Sequence, residues 1–196
     1  MSSPHVQTVA VTRQAITHAH EAIAPWIRQT PVLAVAGSDA QIDAQSVLLK
    51  LESLQASGSF KARGAFANLL LRSIPPAGVA AASGGNHGAA VAYAAMKRGV
   101  PARIFVPSVS SATKIERIRA YGADLVITGD RYSDTIDACR EYCERTGALN
   151  VHAFDQYETL LGTGTVAREI ELQTGGVDTV LAAVGGGGLI SGIASW

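Results

Sequence analysis

Three short segments of the sequence carry residues whose types and spacing suit chemistry on a small anionic molecule. The first is Ser57-Gly58-Ser59-Phe60-Lys61, in which a lysine follows a glycine turn at the predicted start of a helix. An amine in that position can face a cleft, and an unprotonated lysine amine is both a base and a nucleophile. Taken alone the segment is a weak indication, because most helix lysines are simply solvated.

The other two segments contain glycine-rich turns. Ser83-Gly84-Gly85-Asn86-His87 lies where a predicted strand passes into a helix, so backbone N–H groups of the first helical turn point outward. Such a turn binds anions, although an ordinary turn capped by Asn86 or His87 has the same pattern. Gly185-Gly186-Gly187-Gly188 repeats the arrangement and leaves no side chain between a phosphate and the backbone amides. Each glycine costs about 1 kcal/mol to order in a regular element, so a mere flexible connector would seldom use four.

The hydrophobic pattern predicts the elements that position these segments. An amphipathic helix from about Thr12 to Trp26 comes before Pro31, where a helix cannot continue. Beyond Pro75-Pro76, strands and helices alternate with short links. The predicted strands are Val32 to Val35, Ser46 to Leu51, Val79 to Ala82, Ala102 to Val106, Asp124 to Thr128, Leu149 to Ala153 and Thr179 to Val184. The predicted later helices are Phe60 to Leu71, His87 to Arg98, Ala112 to Tyr121, Asp134 to Arg145, Thr165 to Gln173 and one beginning at Leu189.

Apolar strands that alternate with helices indicate parallel pairing with helices on both faces of the sheet, so we predict an α/β fold. In such folds ligands bind at the carboxyl ends of the strands, where we expect the three segments to lie. A lysine amine, an anion-binding turn and a phosphate cradle suit an aldehyde cofactor with a phosphate group and a substrate with a carboxylate. We therefore predict pyridoxal 5'-phosphate (PLP) as cofactor and an amino acid as substrate.

The same segments resemble a known family, the serine/threonine dehydratases, which are fold-type II (tryptophan-synthase-β-like) PLP enzymes. The resemblance rests on KLESLQASGSFKARGA (50–65), SGGNHG (83–88) and GGGGL (185–189), and it extends to QTPVL (29–33), AFD (153–155) and GTGTVAREI (162–170). It implies that Lys61 forms the internal Schiff base, Phe60 flanks the pyridine ring and Asn86 bonds the cofactor's 3′-oxygen. It also implies that the phosphate is held by Gly185, Gly186, Gly187, Gly188 and Leu189, and the substrate carboxylate by Ser83, Gly84, Gly85, Asn86 and His87.

The resemblance also implies a domain organisation. Two three-layer domains, each with a parallel sheet, are expected: residues 1–64 begin a large PLP-binding domain, residues 65–152 form a small mobile domain, and residues 153–196 continue the large one. A helix that has scarcely begun at Leu189 predicts that the C-terminal portion of the large domain is absent. A chain of only these residues would expose apolar surface, which makes its activity doubtful. A homodimer is expected by family analogy.

Composition excludes several other classes of partner. Lys plus Arg and Asp plus Glu both number 16, so no net field attracts nucleic acid. No apolar run approaches the ~18 residues of a membrane span, and MSSPHVQTVAV lacks the features of a signal peptide, so we predict a cytoplasmic protein. Cys139 and Cys143 have no nearby partners that complete a metal site, so no metal is predicted.

The implied reaction is β-elimination of L-serine or L-threonine, giving a 2-oxo acid and ammonia. Because a lysine amine has an ordinary pKa of about 10.4, the site must lower it by desolvation or by a nearby cation. Related racemases usually have serine where this chain has Gly84, which predicts elimination without racemisation. Glutamine is common in the family at the position of Thr163, so contacts bordering the site can differ.

Alternative functions are a β-replacement synthase of the cysteine or threonine synthase type, a serine racemase, and an inactive truncated module that binds PLP or another phosphate. A dinucleotide-binding fold would present its glycine turn after the first strand of a βαβ unit. Here the glycine run comes last, which disfavours that fold.

Overall fold

The structure, a computed structural model, describes residues 9–196 and begins with a capped helix. α1 spans Arg13–Ile23, and the Thr12 hydroxyl oxygen accepts a hydrogen bond from the backbone N–H of Ala15 at 3.2 Å. Its buried face consists of Ile16, Ala19 and Ile23. The predicted first helix is confirmed, but its last turn, Ala24–Trp26, is a 3₁₀ turn. Pro25 has no N–H to continue the α-helical ladder.

The first two strands form a hairpin that is separate from the main sheet. β1 spans Val32–Ala36 and β2 spans Ser46–Lys50, and they pair antiparallel with Val32 opposite Lys50. The parallel pairing predicted from the regular alternation of strands and helices does not extend to these two strands. Their short connection contains no helix, and parallel neighbours need a crossover of about a dozen residues or more. The helix α2, Lys61–Leu71, follows the hairpin after two 3₁₀ turns.

A four-stranded parallel sheet forms from the regular part of the chain, as the pattern predicts. Its strands are β3 (Val79–Ala82), β4 (Ala102–Val106), β5 (Asp124–Ile127) and β6 (Leu149–Asn150). The connecting helices are α3 (Asn86–Arg98), α4 (Ala112–Ala120) and α5 (Tyr132–Thr146). The spatial order of the strands is β5-β4-β3-β6, and every pairing is parallel. The predicted α/β class is confirmed.

Helices cover both faces of this sheet, as alternate residues of its strands show. Val79, Ala81 and Ile104 are buried in the main core together with residues of α2, α3 and α4. Ala80 and Phe105 lie on the opposite face, where they pack against Cys139 of α5. The central strand β3 is therefore buried on both sides, which is why its residues are apolar without alternation.

α6 spans Tyr157–Thr174 and begins well before the predicted start at Thr165. Its first half contains Gly162 and Gly164, which lower helix propensity. A Cβ on Gly162 would lie 2.4 Å from the carbonyl oxygen of Arg63, and one on Gly164 would lie 2.6 Å from Ile16 Cδ1. These glycines allow α6 to approach α2 and α1 closely, and this packing outweighs their intrinsic preference.

The predicted strand from Thr179 to Val184 is not formed, so the described residues contain no second parallel sheet. A strand needs a hydrogen-bonded neighbour, and this segment has none within residues 9–196. Leu181 is 87% exposed. α7 follows at Gly188–Ser195, close to its predicted start.

Residues 9–196 contain neither a membrane-spanning helix nor a cluster of metal ligands. No helix in this part of the chain has the length and apolar character that a membrane crossing requires. No group of three or more His, Cys, Asp and Glu side chains is arranged there to hold a metal ion.

A buried ionic cluster joins the hairpin, α2 and α6. Arg63, which is fully buried, donates to Glu52 at 2.7 Å and to Glu169 at 2.7 Å. Lys50 of β2 donates to the same Glu169 at 2.7 Å. Burial alone would raise the pKa of Glu169, but hydrogen bonds and the charges of Arg63 and Lys50 outweigh burial and hold that pKa below its usual value.

Replacing Glu169 by Gln is expected to destabilise the protein by about 3–5 kcal/mol, because Arg63 and Lys50 would lose the negative charge that balances them. Urea unfolding at pH 7 measures the effect. Glu116→Gln is the matched control, since Glu116 pairs with Arg119 on the exposed surface of α4, and the loss of such a pair costs at most about 1 kcal/mol. Equal effects of the two substitutions would contradict the role given to the cluster.

The same pair of proteins tests the pH dependence. A carboxylate whose pKa is lowered by folding stabilises the native state above its unfolded pKa of about 4.3 and loses this contribution as the pH falls. The stability difference between the parent protein and Glu169→Gln is therefore expected to shrink below about pH 4.

Candidate active site

The candidate site lies at the carboxyl edge of the parallel sheet, between β3 and β6. From β3 the chain builds outward to β4 and β5, and it then returns to place β6 on the opposite side of β3. Such a reversal opens a crevice beyond the strand ends, which is where open α/β sheets bind ligands. Residues 83–87 follow β3 and residues 151–154 follow β6, so both segments lie at this crevice.

Lys61 lies at the start of α2, and its amine reaches the segment that follows β6. Nζ donates a hydrogen bond to the carbonyl oxygen of Ala153 at 2.5 Å and lies 5.1 Å from the centroid of the Phe60 ring. Burial lowers the pKa of the Lys61 amine below its ordinary value. Desolvation is thus the cause that the sequence left open, and it makes the amine a better base and nucleophile near neutral pH.

Ala153 and Phe154 connect this amine to the glycine bend, which we define as residues 185–188. Ala153 accepts the hydrogen bond from Lys61, and Phe154 follows it directly. A Cβ on Gly186 would lie 2.3 Å from Phe154 Cδ1, and a Cβ on Gly188 would lie 2.8 Å from Phe154 Cα. The lysine amine and the glycine bend therefore contact adjoining residues of one segment.

The glycines of the bend differ in how strictly they are required. Gly186 and Gly188 have no room for a side chain beside Phe154. Gly187, which precedes α7, has a φ of +86°, a conformation that favours glycine. Gly185 has open space around it. Three of the four glycines thus have a steric reason, and the absence of side chains at these positions suits the approach of an anion to the backbone N–H groups at the start of α7.

Thr163 of α6 anchors the bend. Its hydroxyl donates a hydrogen bond to the carbonyl oxygen of Gly188 at 2.8 Å. A Cβ on Gly192 of α7 would lie 2.2 Å from the same hydroxyl oxygen. Thr163, which stands where glutamine is common in the family, therefore joins α6 to α7, and the glycine at position 192 leaves room for its hydroxyl.

The turn of residues 83–87 contributes backbone donors to the same edge. Gly85 precedes α3 without a capping side chain, so the Asn86 and His87 side chains do not cap the helix. The first helical hydrogen bond runs from the N–H of Ala89 to the carbonyl oxygen of Gly85. The N–H groups of residues 86–88 precede that bond and have no intrahelical acceptor, which favours anion binding at this turn.

His87 is held by the segment after β6, as Lys61 is. Its ring is buried, and Nε2 lies 2.8 Å from the carbonyl oxygen of Val151. Burial lowers its pKa to about 4, and the neighbouring charges of Lys61 and His152 act in the same direction. The ring is neutral near neutral pH and points to Val151, so any anion contact at this residue must come from the backbone N–H.

Two buried hydroxyl groups close to Lys61 support the fit of a polar ligand. Ser57 and Ser59 are each 6% exposed, and their Oγ atoms have no hydrogen-bond partner within residues 9–196. Ser57 also has a φ of +56°, and its carbonyl oxygen accepts a hydrogen bond from Arg117 of α4. A buried hydroxyl without a partner costs about 1–3 kcal/mol, so such groups usually have a ligand or water as partner. These two orphaned hydroxyls and the side-chain-free bend both fit a cofactor with polar and phosphate groups.

The remaining predicted site residues are Phe60, Asn86 and Leu189, for which the structure gives a position in the fold and a degree of burial. Phe60 is half-buried beside Lys61, Asn86 is exposed at the start of α3, and Leu189 is half-buried in the first turn of α7. Sequence reasoning did not identify the roles of Ala153, Phe154 and Thr163. The AFD and GTGTV segments were noticed only as part of the family resemblance, which was the one available signal.

Comparison with known proteins places this site in a family. The profile described as "Pyridoxal-phosphate dependent enzyme" matches residues 23–196. The chain is 40% identical over 172 residues to a phenylserine dehydratase of Ralstonia pickettii, covering 87% of this chain and 52% of that protein. It is 36% identical over 185 residues to an L-threonine ammonia-lyase of Thermotoga maritima, covering 93% and 46%. The solved structure of maize serine racemase has a TM-score of 0.90 and 34% identity, covering 95% of this chain and 57% of that chain.

The chain therefore belongs to the pyridoxal-phosphate dependent enzyme family, and its fold is that of the fold-type II enzymes. Within this family it is similar to dehydratases and ammonia-lyases, as the resemblance predicted. PLP, the predicted cofactor, is the cofactor of the family. The chain spans about half the length of the curated relatives it matches.

Gly188→Ala is expected to weaken PLP binding by about tenfold or more, since its Cβ would collide with the backbone of Phe154 and displace the bend. Titration of the visible absorbance with PLP measures the affinity. Gly185→Ala separates collision from contact with the ligand, because a Cβ there meets no protein atom within 4 Å, so a loss of affinity in that variant would come from the ligand itself. A bend that is not involved in binding would leave the affinity of both variants equal to that of the parent protein.

His87 is expected to make the protein sensitive to acid. A histidine with a folded pKa of about 4 stabilises the native state above its unfolded pKa of about 6.5, and the contribution falls by about 2 kcal/mol between neutral pH and pH 5. His87→Gln should lose less stability over this interval in urea unfolding. An equal loss of stability in the parent protein and in His87→Gln over this interval would contradict the role given to the buried ring.

Proposed function

We propose that this protein catalyses β-elimination of L-serine or L-threonine, which releases ammonia and forms pyruvate or 2-oxobutanoate. The observation that carries the proposal is the partly buried amine of Lys61, held at the carbonyl of Ala153 beside the glycine bend. The names of the relatives, among them a phenylserine dehydratase and an L-threonine ammonia-lyase, support elimination from a β-hydroxy amino acid.

The cofactor would be held by residues on both sides of the 153–154 segment. Lys61 would bind its aldehyde carbon, residues 185–189 its phosphate, and Asn86 its ring oxygen, with Phe60 beside the ring. Bound there, PLP supplies a conjugated ring that accepts the electron pair released at the substrate α-carbon. The buried hydroxyls of Ser57 and Ser59, which have no partner within residues 9–196, would supply hydrogen bonds to polar groups of the cofactor or substrate.

Lys61 would carry the proton in the reaction. Once the substrate amine has replaced Lys61 at the aldehyde carbon, the freed Nζ would accept the α-proton of the substrate. This requires a neutral amine, and burial favours the neutral form. The carbonyl of Ala153 accepts a hydrogen bond from the same nitrogen, so it keeps the amine in one position without competing for the proton it takes up. A positioned base of this kind contributes about 10²–10⁴-fold to rate.

The substrate carboxylate would bind at the turn of residues 83–87. The free N–H groups at the start of α3 supply donors, and the positive end of the helix dipole adds to the attraction. We further propose that residues 65–152 move as a small domain and exclude water when substrate binds. The proposed boundary falls within α2, so the helix that carries Lys61 would link the two domains.

Two other reactions remain as alternatives with specific support. Serine racemases are among the similar proteins and structures, but Gly84 offers no side chain for returning a proton to the opposite face of the α-carbon. A β-replacement synthase would share the lysine and the glycine bend. The proposal is elimination without racemisation and without need of an added nucleophile.

Lys61→Ala is expected to abolish the near-violet absorption that appears when PLP is added, and to lower 2-oxo acid formation from serine or threonine by about 10³-fold or more. Lys114→Ala, which removes an exposed lysine of α4, is the control and should change neither. Formation of the 2-oxo acid is measured with the full chain, with and without added sulfide. The serine that remains is then recovered, and its D and L isomers are quantified. Dependence on sulfide would favour a synthase, rapid formation of D-serine would favour a racemase, and absence of absorption in the parent protein would favour the inactive module.

A further inference from the structure

A second loop contributes a side chain to the turn of residues 83–87. The loop of residues 107–111 follows β4, and it lies at the same edge of the sheet as the turn that follows β3, because β3 and β4 are parallel neighbours. A Cβ on Gly84 would lie 2.0 Å from Ser110 Oγ and 2.9 Å from Ser110 Cβ. The hydroxyl of Ser110 therefore occupies the space that a side chain on residue 84 would take.

The rest of this loop is held in place by other contacts. Ser108 donates from its N–H to the carbonyl oxygen of Gly129 at 2.9 Å and from its hydroxyl to Asp130 at 2.6 Å. The N–H of Ser110 donates to the carbonyl oxygen of Pro107 at 3.0 Å. The backbone around Ser110 is thus fixed against β5 and its following loop, and the side chain is presented to Gly84 by a defined turn.

The Ser110 hydroxyl differs from those of the neighbouring serines. The Ser108 hydroxyl donates its hydrogen bond to the carboxylate of Asp130. Ser111 is exposed, and its side chain makes no capping hydrogen bond to α4. Ser110 is half-buried, and within residues 9–196 its hydroxyl has no hydrogen-bond partner. A hydroxyl acts as a base only when an adjacent group takes its proton, and no acceptor does so among these residues. Toward a carboxylate, which only accepts hydrogen bonds, this hydroxyl acts as a donor.

We propose that Ser110 is a substrate-binding residue whose hydroxyl replaces the missing side chain of Gly84 and donates a hydrogen bond to the substrate carboxylate. This inference rests on the proposed function, because it takes the turn of residues 83–87 as the carboxylate site. The chain thereby builds the site from two loops, β3–α3 for backbone donors and β4–α4 for a hydroxyl donor.

The contact between Gly84 and Ser110 can be tested by protein stability, without measuring enzymatic activity. Gly84→Ala is expected to lower the urea midpoint in the parent protein, because the new Cβ would collide with Ser110 Oγ. In the Ser110→Ala background the same substitution should cost clearly less, since the hydroxyl is gone. Equal losses in the two backgrounds would show that the two residues are not in contact, and the proposal would be overturned.

The role is tested by binding and kinetics of the PLP-loaded protein. Ser110→Ala is expected to raise the KM for serine by about 10- to 100-fold, the usual contribution of a hydrogen bond to a charged group, with kcat changed by no more than about threefold. Calorimetric titration with glycine, which has no β-hydroxyl to eliminate, should show the same loss of affinity. Ser111→Ala removes a neighbouring hydroxyl and should leave both values unchanged.

Moving the hydroxyl from residue 110 to residue 84 tests whether the hydroxyl group itself, and not the residue that bears it, binds the carboxylate. The double variant Gly84→Ser with Ser110→Ala returns a hydroxyl to the same space and should recover at least part of the affinity for glycine. Unchanged glycine affinity in Ser110→Ala, while PLP absorption persists, would overturn the role of Ser110 and leave the proposed function intact. Failure of the parent protein to take up PLP would instead overturn the proposed function, and this inference with it.

Discussion

Two backbone carbonyl groups beyond β6 organise the candidate site, and its geometry depends on them. The carbonyl of Val151 holds the buried ring of His87, and the carbonyl of Ala153 holds the amine of Lys61. Side-chain substitutions at these positions leave the acceptors in place, so the constraint lies in where β6 runs. Within residues 9–196, β6 pairs with β3 alone, and the N–H of Val151 extends this pairing to the carbonyl oxygen of Ala80 at 2.9 Å. The placement of one short strand thus brings the lysine amine and the turn after β3 to the same crevice.

Close approach of backbone segments is the second constraint on the site. Gly186 and Gly188 lie against Phe154 with no room for a side chain, and Gly84 lies against Ser110. The neighbour differs between the bend and the turn, but the physical consequence is the same: no side chain on these glycines covers the backbone N–H groups where an anion would bind. Side chains then return to the site only from neighbouring segments, as Thr163 does at the bend and as Ser110 is proposed to do at the turn.

The buried ion pairs fix the positions of α2 and α6 relative to each other. Lys61 and Arg63 are two positions apart in α2, so the helix that carries the candidate base is fixed by the ion pairs of Arg63 with Glu52 and Glu169. Glu169 belongs to α6, and the same helix holds the glycine bend through Thr163. One helix, α6, therefore positions both the lysine and the glycine bend, which gives the ionic cluster a role in geometry as well as in stability.

The sequence by itself determined the alternation of strands and helices over residues 79–146, because periodic burial and turn residues are local signals. It also identified Lys61, the turn of residues 83–87 and the glycine bend as candidates, because glycine runs and a lysine after a turn are rare combinations. Only the tertiary structure decided that β1 and β2 pair antiparallel, that α6 starts at Tyr157, and that residues 179–184 form no strand within the described chain. It also brought Ala153 and Phe154 between the lysine and the bend, and Ser110 beside Gly84. These features depend on which backbone segments lie side by side, and residues that are distant along the chain leave no local pattern from which that contact can be deduced.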